Sequence, residues 1–177
     1  MVGNVSDRIA EVVIVAEDLR QSNFVRRYLK RADTSRQVRV VPPPTGKGSG
    51  EQFVRESYPT ELSYYRSRAH HRRAALVIAI DADTGTVETR ERQLEEALKG
   101  AEEDARRSSE SIALLIPKRN IETWILCLTG DSVNETTDYK NTKDLVARSS
   151  GPLRTSLNGV AITIPCHRIV SHHSRRD

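Results

Sequence analysis

The sequence predicts an α/β fold, a mostly parallel sheet flanked by helices, and three observations predict it. Short apolar, β-branched runs recur along the chain, and each is followed by a charged or amphipathic stretch of helical length. The clearest run, Ala74 to Ile80 (AALVIAI), is apolar throughout, as a central strand covered on both faces is.

The elements follow in order. Ala10 to Ala16 (AEVVIVA) is short and β-branched, the pattern of a buried strand. Leu19 to Arg31 carries Leu19, Phe24, Tyr28 and Leu29 towards one side, the spacing of an amphipathic helix. Val38, Val40 and Val41 predict a second strand, stopped by Pro42, Pro43 and Pro44. Thr45-Gly46-Lys47-Gly48-Ser49-Gly50 lacks the spacing of a phosphate-binding loop and is expected to be a flexible loop over the active face. Glu51 to Arg73 is helical by pattern, with Pro59 marking a break or restart. After the Ala74 to Ile80 strand, Thr89 to Arg107 is a charged helix, and Ile112 to Ile116 (IALLI) is a fourth strand ended by Pro117. Ile121 to Leu128 is a short helix whose Trp124 is expected in the core beside Ile121 and Leu128.

No internal repeat is present. Beyond Gly130 the character changes: residues 131–150 are polar, Val160 to Ile164 suits one more strand, and Ser171 to Asp177 is expected to be disordered. The organisation is thus a domain over 1–130 and a partly disordered C-terminal appendage over 131–177.

Composition narrows the class. The chain has 177 residues, 37% of them hydrophobic and 29% charged, which predicts a globular protein with a heavily charged surface. No apolar run approaches the ~20 residues needed to span a bilayer, and Met1 to Asp7 lacks the layout of a secretory signal. A cytoplasmic location without membrane attachment is the expectation. Cys127 and Cys166 are far apart and form neither a disulfide framework nor a zinc ligand set, so both are expected to be reduced thiols. The net charge is +4, and basic residues crowd at Arg26, Arg27, Lys30 and Arg31, again at Arg66, Arg68, His70, His71, Arg72 and Arg73, and finally at Arg168, Arg175 and Arg176. Such clusters are either solvated helix faces or contacts for a polyanion.

In an open parallel sheet, ligands gather beyond the carboxyl ends of the strands. Glu17 directly follows AEVVIVA, Asp81 directly follows AALVIAI, and Asp83 lies two positions on. If the first and third strands are neighbours, these carboxylates converge. Carboxylates held together repel one another, and some take up protons unless a cation offsets the charge. Mg²⁺ (or Mn²⁺) is suited to such an oxygen donor set. It would polarise a phosphoryl oxygen and activate water. The simpler alternative is that Glu17 caps the next helix and Asp81-Ala82-Asp83 opens a turn. Lys118 and Arg119, after the fourth strand, are either phosphate contacts or exposed loop cations.

The segments VVIVAED (Val12 to Asp18) and LVIAIDAD (Leu76 to Asp83), in the order strand–Glu–helix, strand, strand–Asp-x-Asp–helix, resemble the Toprim domain of topoisomerases, primases and overcoming-lysogenization-defect type nucleases. LLIPKRNIETWIL (Leu114 to Leu126) is similar to the strand–Pro–x–Glu-x-Trp stretch of small stand-alone Toprim-like proteins found beside ATPases in prokaryotic defence settings. The resemblance covers roughly residues 10–128. It implies a Toprim-like (Rossmann-like) fold and Mg²⁺-dependent nuclease chemistry. Glu17, Asp81, Asp83 and Glu122 would be the metal ligands and catalytic acids, and Lys118 is the candidate phosphate contact. It also implies nucleic acid as substrate and an ATPase partner protein. The small domain offers little surface for choosing a substrate, which favours such a partner or a homodimer. Glu17 is followed by Asp18, where many Toprim domains carry glycine. The alternative is therefore a non-catalytic module of the same fold. Separately, Pro165-Cys166-His167-Arg168 resembles the active-site motif of O6-alkylguanine–DNA alkyltransferases, which would make Cys166 a nucleophile. The chain around it lacks that family's preceding helix-turn-helix pattern.

Overall fold

Among the described residues, strands and helices alternate as β1 (Glu11–Ala16), α1 (Leu19–Ala32), β2 (Gln37–Val40), α2 (Gly50–Ala69), β3 (Ala74–Ala79), α3 (Val87–Gly100), β4 (Ile112–Leu115) and α4 (Ile121–Leu128). The computed structural model describes residues 9–32, 37–43, 49–69, 73–129, 131–134, 136–142 and 145. The four strands form one sheet in the order β2-β1-β3-β4, parallel at every pairing. The architecture is an α/β sheet flanked by helices and compatible with a Rossmann-like fold.

The unbroken apolar strands follow from this layering. Alternate residues of β1 and β3 point to opposite faces. Val12, Ile14, Ala16, Ala75, Val77 and Ala79 pack with Phe24 and Tyr28 of α1 and Trp124 of α4. Val13, Val15, Leu76, Ile78 and Ile80 pack with Val54, Tyr58 and Leu62 of α2 and with Leu94 and Leu98 of α3. Both faces of the central strands are therefore dry. The edge strand β2 alternates exposed and half-buried residues instead.

The pairing of β1 with β3 runs from Glu11 opposite Ala74 to Ala16 opposite Ala79. The chain leaves β1 towards β2 on one side, then returns through α2 to place β3 on the other. The switch point lies between β1 and β3, where a crevice is expected.

Two helices differ from the sequence reading. Pro59 does not break the second helix: α2 is continuous from Gly50 to Ala69 with Pro59 buried inside it. Proline withholds one N–H from the helix, and the packing of Val54, Tyr58 and Leu62 against the sheet holds both halves in line. The third helix starts earlier, at Val87, where Thr86 caps it by accepting from the Thr89 N–H at 3.0 Å. It also ends earlier, at Gly100, because Glu102 takes a left-handed conformation (φ 57°) that turns the chain away. The loop beyond is fastened by Arg66 of α2, which pairs with Glu110 at 2.7 Å and Glu103 at 3.1 Å and donates to the carbonyls of Asp104 and Ala105.

Cys127 is disulfide-bonded and is not the reduced thiol expected. No described helix is long and apolar enough to cross a membrane. The strand expected over Val160 to Ile164, the tail from Ser171, His70 and His71, and Cys166 lie outside the described residues.

Ile78 is fully enclosed at the centre of the sheet, whereas Tyr64 is 55% exposed on α2. Ile78→Ala should lower unfolding free energy by about 2–5 kcal/mol, while Tyr64→Ala should change it by less than about 0.5 kcal/mol. Urea denaturation of both variants tests this assignment of the core.

Candidate functional site at the carboxyl edge of the sheet

Beyond the carboxyl ends of β1 and β3 lies an open crevice lined by Glu17, Asp18, Arg20, Gly50, Asp81 and Glu122, together with Lys140 and Asn141. Glu17 follows the last residue of β1, and Asp81 lies two residues beyond the end of β3. The parallel register places them side by side, and the Asp81 N–H donates to Glu17 Oε1 at 2.9 Å. Glu122 comes from the first turn of α4, on the α1 face of the sheet. Three predicted site residues, Glu17, Asp81 and Glu122, thus face one crevice.

The other two do not line it. Asp83 adopts a left-handed conformation (φ 53°) in the turn that leads to α3. Its side chain is 54% exposed and lies 3.6 Å from Arg119. Aspartate tolerates this backbone region because its short polar side chain bonds locally. Asp-x-Asp therefore separates into a buried acid and a turn residue. Lys118 donates to the Gly85 carbonyl at 2.9 Å, which fastens the same turn.

Asp18, the residue where the first motif departs from the Toprim pattern, caps α1. Its Oδ1 accepts from the Gln21 N–H at 2.8 Å, and its carbonyl accepts from the Ser22 N–H at 3.2 Å. Asp18, and not Glu17, is the helix cap.

Several functional neighbours carried no sequence signal of their own. Gln21, one turn into α1, is buried between the acids: its amide donates to Asp81 Oδ1 at 2.7 Å, and its oxygen accepts from the Glu17 N–H at 3.1 Å. Arg20 pairs with Glu122. Arg90, a buried arginine of α3, donates to the Asp81 carbonyl at 2.9 Å and pairs with Glu51 of α2. Lys140 belongs to the polar segment beyond Gly130. That segment is held against the domain by Tyr139 and Val133, which pack on the α1 face, and by Asn120, which donates to Asp138 at 2.9 Å.

Gly50 has a steric role that its place in a glycine-rich loop did not reveal. A Cβ there would lie 2.5 Å from the Glu17 carbonyl oxygen and 2.9 Å from its Cβ. Only glycine lets α2 begin this close to Glu17.

Burial and, next, the charge of Glu17 push the Asp81 carboxyl from 3.8 up to about 8, while Lys140 opposes the shift. Burial also raises Glu17, against the Asp81 N–H and Arg90, which favour its ionised form. Both shifts favour the protonated form, so the pair holds less negative charge at neutral pH than two free carboxylates do. Among the described residues no three or more His, Cys, Asp and Glu side chains are grouped to hold a metal ion. The donor set still fits a hard divalent cation in chemistry. Glu17, Asp81 and Glu122 offer oxygen alone, and Asp81 takes up a proton where a cation would let it ionise. Glu122 is paired with Arg20, and Asp81 accepts from the Gln21 amide at 2.7 Å.

Of the basic clusters, Arg26, Arg27 and Lys30 are exposed on α1, whereas Arg66 is engaged inside the fold. Comparison with known proteins found no matching protein-family model, no matching curated protein and no matching solved structure.

Two outcomes follow. Between about pH 4 and pH 8 the folded chain keeps a proton on Asp81 that the unfolded chain has released. Stability should therefore fall as pH rises through this window, by up to about 1.4 kcal/mol per pH unit. Asp81→Asn cannot titrate and still accepts from Gln21. In EDTA it should match wild type near pH 4 and exceed it increasingly towards pH 8. Urea unfolding across that range reads the difference. Gly50→Ala should cost about 1–3 kcal/mol through the clash with Glu17, measurable by the same method.

Proposed function

We propose that the chain is a divalent-metal-dependent phosphodiesterase acting on nucleic acid, of the Toprim type that its Glu17 and Asp81 segments resemble. The observation that carries this reading is the meeting of Glu17, Asp81 and Glu122 in one crevice at the carboxyl edge of the parallel sheet. Each comes from a different element, and local turn or capping needs do not account for all three. Asp18 supplies the cap that Glu17 was an alternative candidate for.

Two further features support a polyanionic substrate. The first residues of α1, α2 and α4 (Leu19, Gly50 and Ile121) all line the crevice, and helix N-termini favour phosphate through their free N–H groups and dipoles. The crevice is open and has a volume of about 1230 Å³, which leaves room for a segment of polymer. Glu17, Asp81 and Glu122 would hold Mg²⁺ or Mn²⁺, which supplies Lewis-acid polarisation of phosphate and a more acidic water. The chain's own residues do the rest. Gln21 orients Glu17 and Asp81, Arg90 fixes the Asp81 main chain, and Arg20 and Lys140 offer cations to phosphate oxygens. Asp83 and Lys118 act in this reading by shaping the turn beside the site. An ATPase partner or a second copy would supply the substrate selection that so small a domain lacks.

A second reading, a non-catalytic binding module, has its own supporting observation: Arg20 and Gln21 already satisfy Glu122 and Asp81 without an ion.

Incubation with DNA and with RNA in Mg²⁺ or Mn²⁺, then with EDTA, separates the two. Wild type should cleave one substrate only with the ion. Asp81→Ala should cut at least about 100-fold more slowly, the factor expected when several kcal/mol of charge stabilisation is lost. Equal cutting by both proteins would sink the metal-site mechanism, and ion binding without cleavage would favour the module.

A further inference from the structure

The charge of α1 is one-sided in a way that no other described helix shares. Between Leu19 and Ala32 it carries five basic residues and no acidic one. α2 carries three of each, and α3 carries three basic and four acidic. The five charges of α1 exceed the net +4 of the whole chain, so the remaining residues together carry no net positive charge. Phe24, Val25, Tyr28 and Leu29 turn to the sheet. On the opposite side Leu19, Asn23, Arg26 and Lys30 follow one another in steps of four, three and four residues, the spacing of one straight row. All four are exposed. The row is about 16 Å long at the helical rise of about 1.5 Å per residue. It begins at the crevice, whose lining includes Leu19 and Arg20. Leu19 is 66% exposed, an unusual position for a large apolar side chain in this molecule.

An open leucine at the crevice mouth, with two cations in line behind it, matches a ligand that combines apolar bases with anionic phosphates. We propose that the outer row of α1 is a track for a single-stranded phosphodiester chain, DNA or RNA, leaving the crevice. Leu19 packs against a base or sugar, and Asn23, Arg26 and Lys30 follow the backbone. This rests on the reading of the crevice as a nucleic-acid site, and it adds the surface that holds the strand beyond it. The row is one side chain wide, which fits one backbone. A duplex keeps its bases stacked inside, out of reach of Leu19. Cations along such a track displace condensed counterions, so affinity falls with salt according to the number of phosphates neutralised.

Fluorescence anisotropy of labelled single-stranded DNA, single-stranded RNA and duplex DNA, all in EDTA, reads binding without cleavage. Arg26→Gln/Lys30→Gln should weaken single-strand binding about tenfold at low salt. It should also reduce the slope of log affinity against log salt by about 1.4, two contacts at about 0.7 each. Arg92→Gln/Lys99→Gln removes the same charge from exposed positions of α3, the helix on the other face of the sheet, and should leave both quantities unchanged. Leu19→Ala should weaken binding about threefold at every salt concentration without altering the slope, since an apolar contact releases no counterions. All five side chains are exposed, so none of these substitutions opens the core. Equal losses from the α1 and α3 pairs would reduce the effect to net charge and overturn the track, as would no loss from either or no binding by wild type. Duplex binding as tight as single-strand binding would overturn the single-stranded assignment. The cleavage assay separates this inference from the reading beneath it. Cutting that ignores Arg26→Gln/Lys30→Gln would remove the track and leave the crevice. Strand binding that depends on Arg26 and Lys30, with no cutting in either ion, would leave the track and remove the nuclease.

Discussion

The parallel pairing of β1 with β3 is the constraint on which the rest of the molecule depends. Because Ala16 lies opposite Ala79, the chain emerges from the two central strands at the same level, and Glu17 and Asp81 become neighbours across 64 positions of sequence. The same pairing makes both strands dry on two faces, which demands α1 and α4 on one side and α2 and α3 on the other. The start of α2 must then pass close to Glu17, and Gly50 is what permits it. Core and crevice are two consequences of one register.

Gathering acids at the end of a buried sheet creates a charge problem, and the surrounding residues are arranged to manage it. Glu17 receives the Asp81 N–H, Glu122 receives Arg20, and Asp18 turns one oxygen to the helix it caps. Asp81 receives only the neutral amide of Gln21, with Lys140 near by, and burial pushes it far above the usual carboxylate range. Asp81 is the least compensated carboxyl of the crevice, and a buried, strongly shifted group in a crevice marks a candidate functional site. The Arg20–Glu122 pair joins a half-exposed guanidinium to a buried carboxylate.

Much of this was legible in the residues, for identifiable reasons. Buried strands must be apolar and short, so AEVVIVA, AALVIAI and IALLI could hardly be anything else. Acids directly after such strands lie at the sheet edge whatever the details, which is why Glu17 and Asp81 were found. Spacing failed where a backbone dihedral decides. Asp83 is two residues from Asp81, but a left-handed turn points the chain elsewhere. Pro59 carries a strong helix-breaking signal that packing overrides, and the helix over 87–100 is shorter than its run of charged residues suggests because it ends at Lys99-Gly100, a common helix ending, before the left-handed turn at Glu102. Arg90 and Lys140 had no readable signal, since an arginine within a charged helix and a lysine in a polar segment are ordinarily solvated.

By itself, the sequence determined the alternation of strand and helix, the two-faced burial of the central strands and the presence of acids at their ends. These are properties of local pattern, period and composition. Only the tertiary structure decided which acids share a crevice and which cations face them. It also decided that Gly50 serves by what it lacks, and that Asp18 caps a helix. Those facts depend on strand order, register and the approach of helices distant along the chain. No local pattern encodes them, because each is a distance between residues that meet only when the sheet is assembled.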